Sequence, residues 1–326
     1  MILAAGYGER LWPLTADRTK PALPVLGKPL VGYIAEYLGK HGVNDIIVNL
    51  HHQPESVRAS LGDGGRFGVR LHYVHEPVIL GTSGGLENAR DFFDEDTFVV
   101  VNGKIITDID LGEALETHRR TQALATLILK KNIARERFST VETSQGFVIR
   151  FSGMPAPAGE SIDENEPPLM FTGIQIMEPR IFDYIPRRVF SHSTTDVYPQ
   201  AIAKGERVAA HVGEGTWYEL STLQRYLEIS LALLKTDGRS LYSGKGTLIH
   251  QSARVRESIL WNDVVIQGGA TVTRTVLGDG VHIGGNEELS DAVIVRAELV
   301  AGKTPPAKAL KGNFAGDNFV VPLSRC

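Results

Sequence analysis

The feature that most restricts the fold of this sequence is a six-residue recurrence of aliphatic side chains after residue 246. Glycines crowd the positions between three aliphatic sets: Ile249 and Val255; Leu260, Ile266 and Val272; Leu277, Ile283, Leu289 and Val295. A period of six with glycine at the corners is typical of a β-helix, in which each coil stacks on the previous one. A β-meander, whose period would drift, is the alternative. We predict a short β-helix at residues 246–303 and an irregular tail at 304–326.

The first 240 residues instead alternate between strand and helix patterns. The runs Ile46–Leu50 and Thr97–Val101 are apolar enough for strands buried on both faces, and Pro29–His41 carries apolar residues at helical spacing. The alternation predicts an α/β domain over residues 1–240 with a largely parallel sheet. The predicted helices are 29–41, 84–93, 111–121, 196–204 and 221–234, and the predicted strands are 46–50, 69–74, 97–101, 123–129, 147–151, 171–177 and 207–212.

The opening stretch predicts a loop that wraps a phosphate group at the carboxyl end of the first strand. Its members are Leu3, Ala4, Ala5, Gly6, Gly8, Glu9 and Arg10, with Lys20 further along the chain. Glycine lacks a Cβ atom, so successive N–H groups can approach an anion, and the arginine and lysine add positive charge. A tight turn with surface cations is the alternative. Because the first strand is very short, we expect the natural chain to begin a few residues upstream.

Composition argues against several classes of partner. The chain has 34 basic and 38 acidic residues, a net charge of −4, which gives no basic surface for a nucleic acid. No apolar stretch approaches the ~20 residues that span a bilayer, and the start does not resemble a signal peptide. The only cysteine is Cys326, so no intrachain disulfide can form. We therefore expect a cytoplasmic protein without nucleic-acid or membrane partners.

The glycine loop, the strand end at Asn102-Gly103 and the six-residue repeats occur in this order in one chain. Together they resemble the sugar-1-phosphate nucleotidyltransferases, most closely mannose-1-phosphate guanylyltransferase-like proteins with a C-terminal left-handed β-helix. The resemblance implies a Rossmann-like, mostly parallel sheet with helices on both faces. It also implies transfer of a nucleotidyl group from an NTP to a sugar 1-phosphate, giving an NDP-sugar and pyrophosphate. GTP and mannose 1-phosphate are the substrates of the closest case, and Mg²⁺ is the usual cofactor.

The resemblance assigns the nucleotide to the opening loop. Leu3–Arg10 would hold the nucleotide and its phosphates, while Arg10 and Lys20 would act as catalytic residues that steady the departing pyrophosphate. Attack of one phosphate on another brings two anions together. Catalysis then depends mostly on positioning and charge neutralisation, which amides and two cations can supply.

The resemblance also assigns residues to the base and the sugar. Gly81 and Thr82 would bind the nucleotide within a loop at Leu80–Gly85 whose backbone faces the base, and Asn102 and Gly103 would also bind it. Thr172 and Gly173 match the strand that lines the sugar pocket. The family's Glu-Lys-Pro after the 147–151 strand is replaced by Ser-Gly-Met-Pro at 152–155, within a stretch at 153–168 that we expect to be a loop. The identity of the sugar therefore stays open.

Two positions depart from the family pattern at the metal site. The family has Val-Asn-Gly-Asp where this chain has Lys104, and Trp-x-Asp-Ile-Gly-Thr-Pro where it has Trp217 followed by Glu219. An ammonium offers no lone pair to a cation, whereas Glu219 keeps a carboxylate. Asp108 and Asp110 are the nearby alternative ligands. We therefore expect a degraded Mg²⁺ site, in which Glu219 is the remaining candidate ligand.

The sequence leaves two functions open. In one, the chain is an enzyme in which Lys104 takes over the charge of the cation. In the other, it binds nucleotide or NDP-sugar without turnover, as a regulatory or assembly subunit. A substitution introduced at residue 104 would explain that position but not Glu219. Acyl transfer on the β-helix lacks support, since His282 is the only histidine inside the clear repeat.

The β-helix also predicts self-association, because stacked coils leave flat faces and an exposed end. A homodimer is the default expectation. A hetero-oligomer with an active paralogue is the alternative.

Overall fold

The computed structural model describes residues 1–93, 95–136, 138, 140–151 and 167–323. The predicted loop at 153–168 lies outside these residues except for Pro167 and Pro168. The chain divides into two compact units. The first unit consists of Met1–Ala5, Ile34–His51 and Gly62–Trp217, and the second unit consists of Gly6–Tyr33, His52–Leu61 and Tyr218–Cys326. Two segments of the predicted domain 1–240 thus share a unit with the residues after Tyr218.

The described residues form short strands throughout and few long helices. The strands are β1 (Ile2–Leu3), β2 (Pro24–Val25), β3 (Lys28–Pro29), β4 (Asp45–Leu50), β5 (Arg70–His75), β6 (Phe98–Asn102), β7 (Ile105–Thr107), β8 (Ala125–Lys131), β9 (Thr140–Ser144), β10 (Phe147–Phe151), β11 (Leu169–Met177), β12 (Val208–Val212), β13 (Trp217–Glu219), β14 (Leu241–Ser243), β15 (Leu248–Ile249), β16 (Arg254–Arg256), β17 (Ser258–Leu260), β18 (Val265–Ile266), β19 (Thr271–Leu277), β20 (His282–Ile283), β21 (Glu288–Arg296), β22 (Asn313–Ala315) and β23 (Asn318–Pro322). The helices are α1 (Leu30–Lys40), α2 (Pro54–Leu61), α3 (Gly81–Asn88), α4 (Leu111–Thr121), α5 (Tyr198–Ala203), α6 (Leu223–Thr236) and α7 (Ala297–Val300). Among the described helices, none combines the length and the apolar character needed to cross a bilayer.

The first unit is built on a nine-stranded sheet with the order β5-β4-β1-β6-β11-β8-β12-β10-β9. Strands β5, β4, β1 and β6 are parallel to one another. Strand β11 is antiparallel to both β6 and β8, whereas β12 is parallel to β8, and β10 is antiparallel to β12 and β9. Only β11 and β10 therefore run against the other seven strands. The prediction of a mostly parallel sheet is confirmed.

Buried apolar strands form the core of the first unit. Ile46, Val48, Val100 and Val101 are fully buried, as expected for central strands of a sheet covered on both faces.

Helix α4 has the predicted bounds, and the side chain of Asp110 caps its N-terminus. The helix α2 was not predicted, because its eight residues are largely polar.

In the second unit, parallel strands stack at a step of 17 residues. Leu260 lies beside Leu277, and Leu277 lies beside Ile294. The same step relates Val265 to His282 on another face of the stack. The predicted β-helix is therefore present, but its coil is one residue shorter than three six-residue repeats. For this reason Ile294, and not the predicted Val295, continues the row of Leu277.

The shortened corner lies between Val272 and Leu277. Arg274 has a φ of 50° there, and the equivalent residues of the neighbouring coils, Glu257 and Asp291, have φ values of 47° and 46°. Left-handed backbone costs a non-glycine residue about 1–2 kcal/mol. The ion pair between Arg274 Nε and Asp291 Oδ1, at 2.9 Å, joins two of these coils and offsets part of that cost.

The tail at 304–326, which the sequence predicts to be irregular, contains two strands, β22 and β23. Strand β23 is antiparallel to β21, and β22 is antiparallel to β23. Phe319 and Val321 alternate with more exposed neighbours and are buried. This period of two is the pattern of a half-buried strand, and it is too short to stand out in the sequence.

Candidate active site

In the first unit, the root of the glycine loop is fixed at the carboxyl end of β1. Leu3 lies between Asn49 of β4 and Asn102 of β6. The backbone N–H of Ala4 donates to Asn49 Oδ1 at 2.7 Å, and the N–H of Gly103 donates to the Leu3 carbonyl at 2.8 Å. A Cβ atom on Gly103 would lie 2.6 Å from the Leu3 oxygen, so only glycine fits there. Leu3 and Gly103, two predicted nucleotide-binding residues that are far apart in the chain, are thus in contact.

A buried carboxylate extends this arrangement towards α3. Asn49 Nδ2 donates to Glu76 Oε1 at 2.5 Å, and the backbone N–H of Leu80 donates to Glu76 Oε2 at 3.1 Å. Glu76 is fully buried, and burial raises the pKa of its carboxyl above the ordinary value, against the opposing effect of the two hydrogen bonds. A Cβ on Gly85 would lie 2.5 Å from Glu76 Oε1. Glycine at that position therefore makes room for the carboxylate.

Asn49 and Glu76 are not among the site residues predicted from the sequence. The available signal was Asn49, the single polar side chain in the apolar run Ile46–Leu50. A buried amide needs hydrogen-bond partners, and these partners are the backbone of the glycine loop and Glu76.

The segment that begins at Gly81 is not a loop, because helix α3 starts there, three residues before the predicted Gly84. Helix amides that are normally without partners donate to a neighbouring segment. Thr82 N donates to His192 Nδ1 at 3.3 Å, and Ser83 N donates to the Ser191 carbonyl at 3.1 Å. These amides therefore have partners within the protein, and nucleotide binding by Gly81 and Thr82 stays a prediction.

The predicted sugar-binding pair forms an irregularity in β11. The register of β11 against β8 shifts between Phe171 and Ile174. Thr172 is buried, and its hydroxyl donates to the Ile128 carbonyl at 2.7 Å, so this hydroxyl stabilises the irregularity. Gly173 has a φ of 84°, and a Cβ there would lie 2.4 Å from Asn102 Nδ2. The structure thus places the predicted sugar residue Gly173 against the predicted nucleotide residue Asn102.

Trp217 packs against the same irregularity. Its indole Nε1 donates to the Thr172 carbonyl at 2.9 Å, and its ring meets Phe138 edge-on at 5.3 Å. This is a structural role for the indole.

In the second unit, the glycine loop and the predicted catalytic lysine are in contact. Gly8 has a φ of 71°, and a Cβ there would lie 3.0 Å from Lys20 Cβ. The Gly8 carbonyl accepts from Leu11 N at 2.9 Å, which closes a turn that contains the exposed Arg10. A Cβ on Gly6 would meet no described atom within 4 Å. The space beside Gly6 is therefore open to a ligand.

The nearby aspartates in the first unit have structural duties. Asp108 Oδ1 accepts from Thr216 N at 2.5 Å, and Asp110 Oδ1 accepts from Gly112 N at 2.6 Å as the N-cap of α4. Both lie beyond β7, several residues after the end of β6. This geometry gives no support to Asp108 or Asp110 as replacement metal ligands.

The Lys104 side chain at the end of β6 offers no ligand to a divalent cation, and the degraded Mg²⁺ site stays a prediction. Lys104 occupies the family's aspartate position, in a tight turn where its N–H donates to the Asn102 carbonyl at 2.7 Å. An ammonium has no lone pair to offer. Glu219 lies at the end of β13 in the second unit. In the part of the chain that the structure describes, no group of three or more His, Cys, Asp or Glu side chains is arranged to hold a metal ion.

The chain combines an α/β sheet, a glycine-rich loop after the first strand of that sheet, and a β-helix in its C-terminal part. This combination defines a nucleotide-binding transferase with a hexapeptide-repeat extension. The chain belongs to the nucleotidyl transferase family, whose pattern matches residues 1–236. Residues 238–304 match the pattern described as GlmU-like, C-terminal hexapeptide. This second match confirms the left-handed β-helix and, with the first, the resemblance drawn from the sequence.

Characterised relatives agree with this assignment. The chain is 30% identical to UTP–glucose-1-phosphate uridylyltransferase of Synechocystis sp., in an alignment that covers 100% of this chain and 83% of that protein. It is 28% identical to mannose-1-phosphate guanylyltransferase of Mycobacterium tuberculosis, covering 90% and 79%. A solved Bacillus anthracis structure in complex with sucrose superimposes with a TM-score of 0.60 at 25% identity, covering 71% of this chain and 93% of that one.

Proposed function

We propose that the protein transfers a nucleotidyl group from an NTP to a sugar 1-phosphate. The observation that carries this proposal is the glycine loop, rooted at the carboxyl end of β1 in a member of this family. A phosphate oxygen of the sugar attacks the α-phosphorus of the NTP. The bond from that phosphorus to the bridging oxygen breaks, and pyrophosphate leaves as an NDP-sugar forms.

The residues around the glycine loop are suited to bind the polyphosphate. The open face of Gly6 admits a phosphate close to the backbone, and the contact between Gly8 and Lys20 fixes where the lysine backbone lies. Arg10, exposed in the adjoining turn, adds a second cation. These charges offset the negative charge that grows on the departing pyrophosphate, which is the main requirement of this reaction.

The end of β6 and the irregularity of β11 carry the residues that we assign to the sugar. Gly173 and Asn102 are in contact, and the irregularity at Thr172 sets the direction in which β11 continues. We assign the sugar to this strand end and the base to Gly81. The relatives differ in both specificities, since one is named for UTP and glucose 1-phosphate and another for the guanylyl transfer to mannose 1-phosphate.

The decisive experiment measures pyrophosphate release with the common NTPs and a panel of hexose 1-phosphates, beginning with GTP and mannose 1-phosphate and with UTP and glucose 1-phosphate. Each pair is tested with Mg²⁺ and with a chelator. We expect turnover with at least one pair. Absence of turnover above background, together with micromolar binding of an NDP-sugar, would instead establish a binding subunit.

Lys104 gives the first prediction. Its ammonium places a positive charge where the family has a metal ligand, so we expect Mg²⁺ to stimulate the wild type less than tenfold. Lys104→Asp restores a carboxylate, and Mg²⁺-dependent turnover should rise by about tenfold or more, ~1.4 kcal/mol in transition-state stabilisation.

Lys40→Asp is the matched control, because it makes the same charge change at an exposed residue at the end of α1. Equal Mg²⁺ dependence in Lys104→Asp and the wild type would contradict this role for residue 104.

A further inference from the structure

Arg18, which lies between the glycine loop and Lys20 along the chain, contacts the β-helix within the second unit. Arg18 Nη2 donates to Asp279 Oδ2 at 2.9 Å, and the Arg18 guanidinium carbon lies 5.0 Å from the centre of the Trp261 ring. Arg18 also donates to both carboxylate oxygens of Asp17. Asp279 and Trp261 both lie on the β-helix, whereas Arg18 lies two residues before Lys20.

The partners of Arg18 are themselves fixed. Trp261 is buried, and its indole Nε1 donates to the Tyr226 hydroxyl at 3.0 Å. That hydroxyl donates to the Pro24 carbonyl. Asp279 Oδ1 accepts from Asn262 N at 3.0 Å, which connects the carboxylate to the preceding coil. A side chain held by two immobilised partners has few alternative positions.

Two further contacts attach the same segment to the C-terminal part of the second unit. The rings of Trp12 and Phe319 meet edge-on at 5.2 Å, and both are buried. Lys303 Nζ donates to the Ala16 carbonyl at 2.9 Å. Three residues within the interval from Gly8 to Lys20, namely Trp12, Ala16 and Arg18, therefore contact the β-helix or the segment that follows it.

The charges at Arg18 are well matched. Burial lowers the pKa of Arg18, but the carboxylates of Asp17 and Asp279 outweigh this effect and leave that pKa above its ordinary value. The three groups form a partly buried network, and such a network with a cation–π contact is stronger than an exposed pair.

We propose that Arg18 is a positioning residue for nucleotide binding, through which the β-helix corner at Trp261 and Asp279 holds Lys20 and the glycine loop in place. The inference rests on the proposed function, in which the loop binds an NTP. Gly8 packs so closely against Lys20 that an added Cβ would lie 3.0 Å from Lys20 Cβ, so a shift of the Lys20 backbone changes a packing contact with the glycine loop. Small displacements of phosphate-positioning groups are costly to both binding and rate.

The test compares Arg18→Gln and Asp279→Asn with Asp291→Asn in the full chain. The control breaks the Arg274–Asp291 ion pair, which has the same 2.9 Å length and also lies on the β-helix but does not contact the segment around Lys20. Calorimetric titration with GTP and with UTP gives affinity, steady-state kinetics gives KM and kcat, and thermal unfolding gives stability.

We expect both test variants to bind the preferred NTP at least tenfold more weakly and to raise its KM, while KM for the sugar 1-phosphate changes less than threefold. The control should lose stability but keep its NTP affinity. Arg18→Lys, which keeps the charge without the planar fork, should recover part of the affinity.

Wild-type affinity in both variants, or an equal loss in the control, would overturn the proposal. These outcomes are distinct from a failure of the proposed function, in which the wild type itself neither turns over nor binds an NTP.

Discussion

At the scale of single residues, the two glycines of the glycine loop, Gly6 and Gly8, have different physical roles. Gly8 occupies the left-handed region and lies against Lys20, so the protein itself requires a glycine there. Gly6 has an ordinary φ and open space, so nothing in the described structure requires it. Under the proposed function, the close approach of a phosphate group accounts for a glycine at this position.

This difference gives a paired prediction. Gly8→Ala should destabilise the protein by about 1–2 kcal/mol, because alanine must adopt left-handed backbone. Gly6→Ala should change stability by less than about 0.5 kcal/mol and yet weaken NTP binding about tenfold or more. Thermal unfolding and calorimetric titration measure the two effects. A Gly6→Ala variant with wild-type affinity would argue against phosphate binding at this loop.

Thr172 shows how a side chain can match a motif and serve another purpose. Its hydroxyl is committed to the Ile128 carbonyl, so the irregularity of β11 depends on it. Gly173, and not the Thr172 side chain, is then the residue of the pair that faces Asn102.

At the scale of elements, Glu76 connects three parts of the first unit. Through Asn49 it reaches the Ala4 amide after β1, and through Leu80 it reaches the start of α3. The carboxylate thus couples the root of the glycine loop to the segment assigned to the base. A buried network of this kind fixes geometry as long as every member keeps its partner.

The titration of Glu76 predicts a pH effect. Because the folded protein raises the pKa of this carboxyl, its contribution to stability is complete below the unfolded pKa of about 4.3 and is lost as the pH rises through the higher folded value. Glu76→Gln does not titrate. The wild type should therefore lose stability relative to Glu76→Gln between pH 4.5 and pH 8.

Thermal unfolding of the two proteins across this range measures the difference. Glu55→Gln is the control, because Glu55 lies exposed on α2, and its difference from the wild type should not follow the same trend. A constant difference between the wild type and Glu76→Gln would show that burial does not raise this pKa.

At the scale of the whole molecule, sequence order and compact units do not coincide. The segments Gly6–Tyr33 and His52–Leu61 belong to the same unit as the β-helix, although about two hundred residues separate them in the chain. The glycine loop and the β-helix therefore belong to one compact unit, in which the proposed support of the loop by the β-helix can act. Self-association through the β-helix, as a homodimer or with an active paralogue, stays a prediction that light scattering can test.

Truncation after Thr236 tests this support. The shortened chain lacks Trp261, Asp279 and Phe319, so the turn closed by Leu11 N and the Gly8 carbonyl should lose hydrogen-exchange protection by tenfold or more. Amides of β4 should keep theirs and serve as the internal reference. Unchanged protection of Leu11 would show that the loop is stable without the β-helix.

Much of the fold follows from local patterns. Apolar runs and helical spacing predicted α4 and β10 with their observed bounds, and the aliphatic recurrence predicted a β-helix. These patterns are visible in the sequence because the buried positions of a helix, a strand or a β-helix coil recur at a fixed spacing. The start of α3 at Gly81 was missed, because its first amides depend on Ser191 and His192, more than a hundred residues away.

The sequence by itself determined the fold class and the glycine loop, since each is a property of residue type and spacing. That Lys104 replaces a metal-binding aspartate is implied by the family resemblance and stays a prediction. Only the tertiary structure decided the 17-residue coil, the structural duties of Asp108 and Asp110, and the hold of the β-helix on Arg18. These depend on which distant groups satisfy a hydrogen bond or a charge. Chain spacing does not encode such partners, because they are chosen by packing in three dimensions.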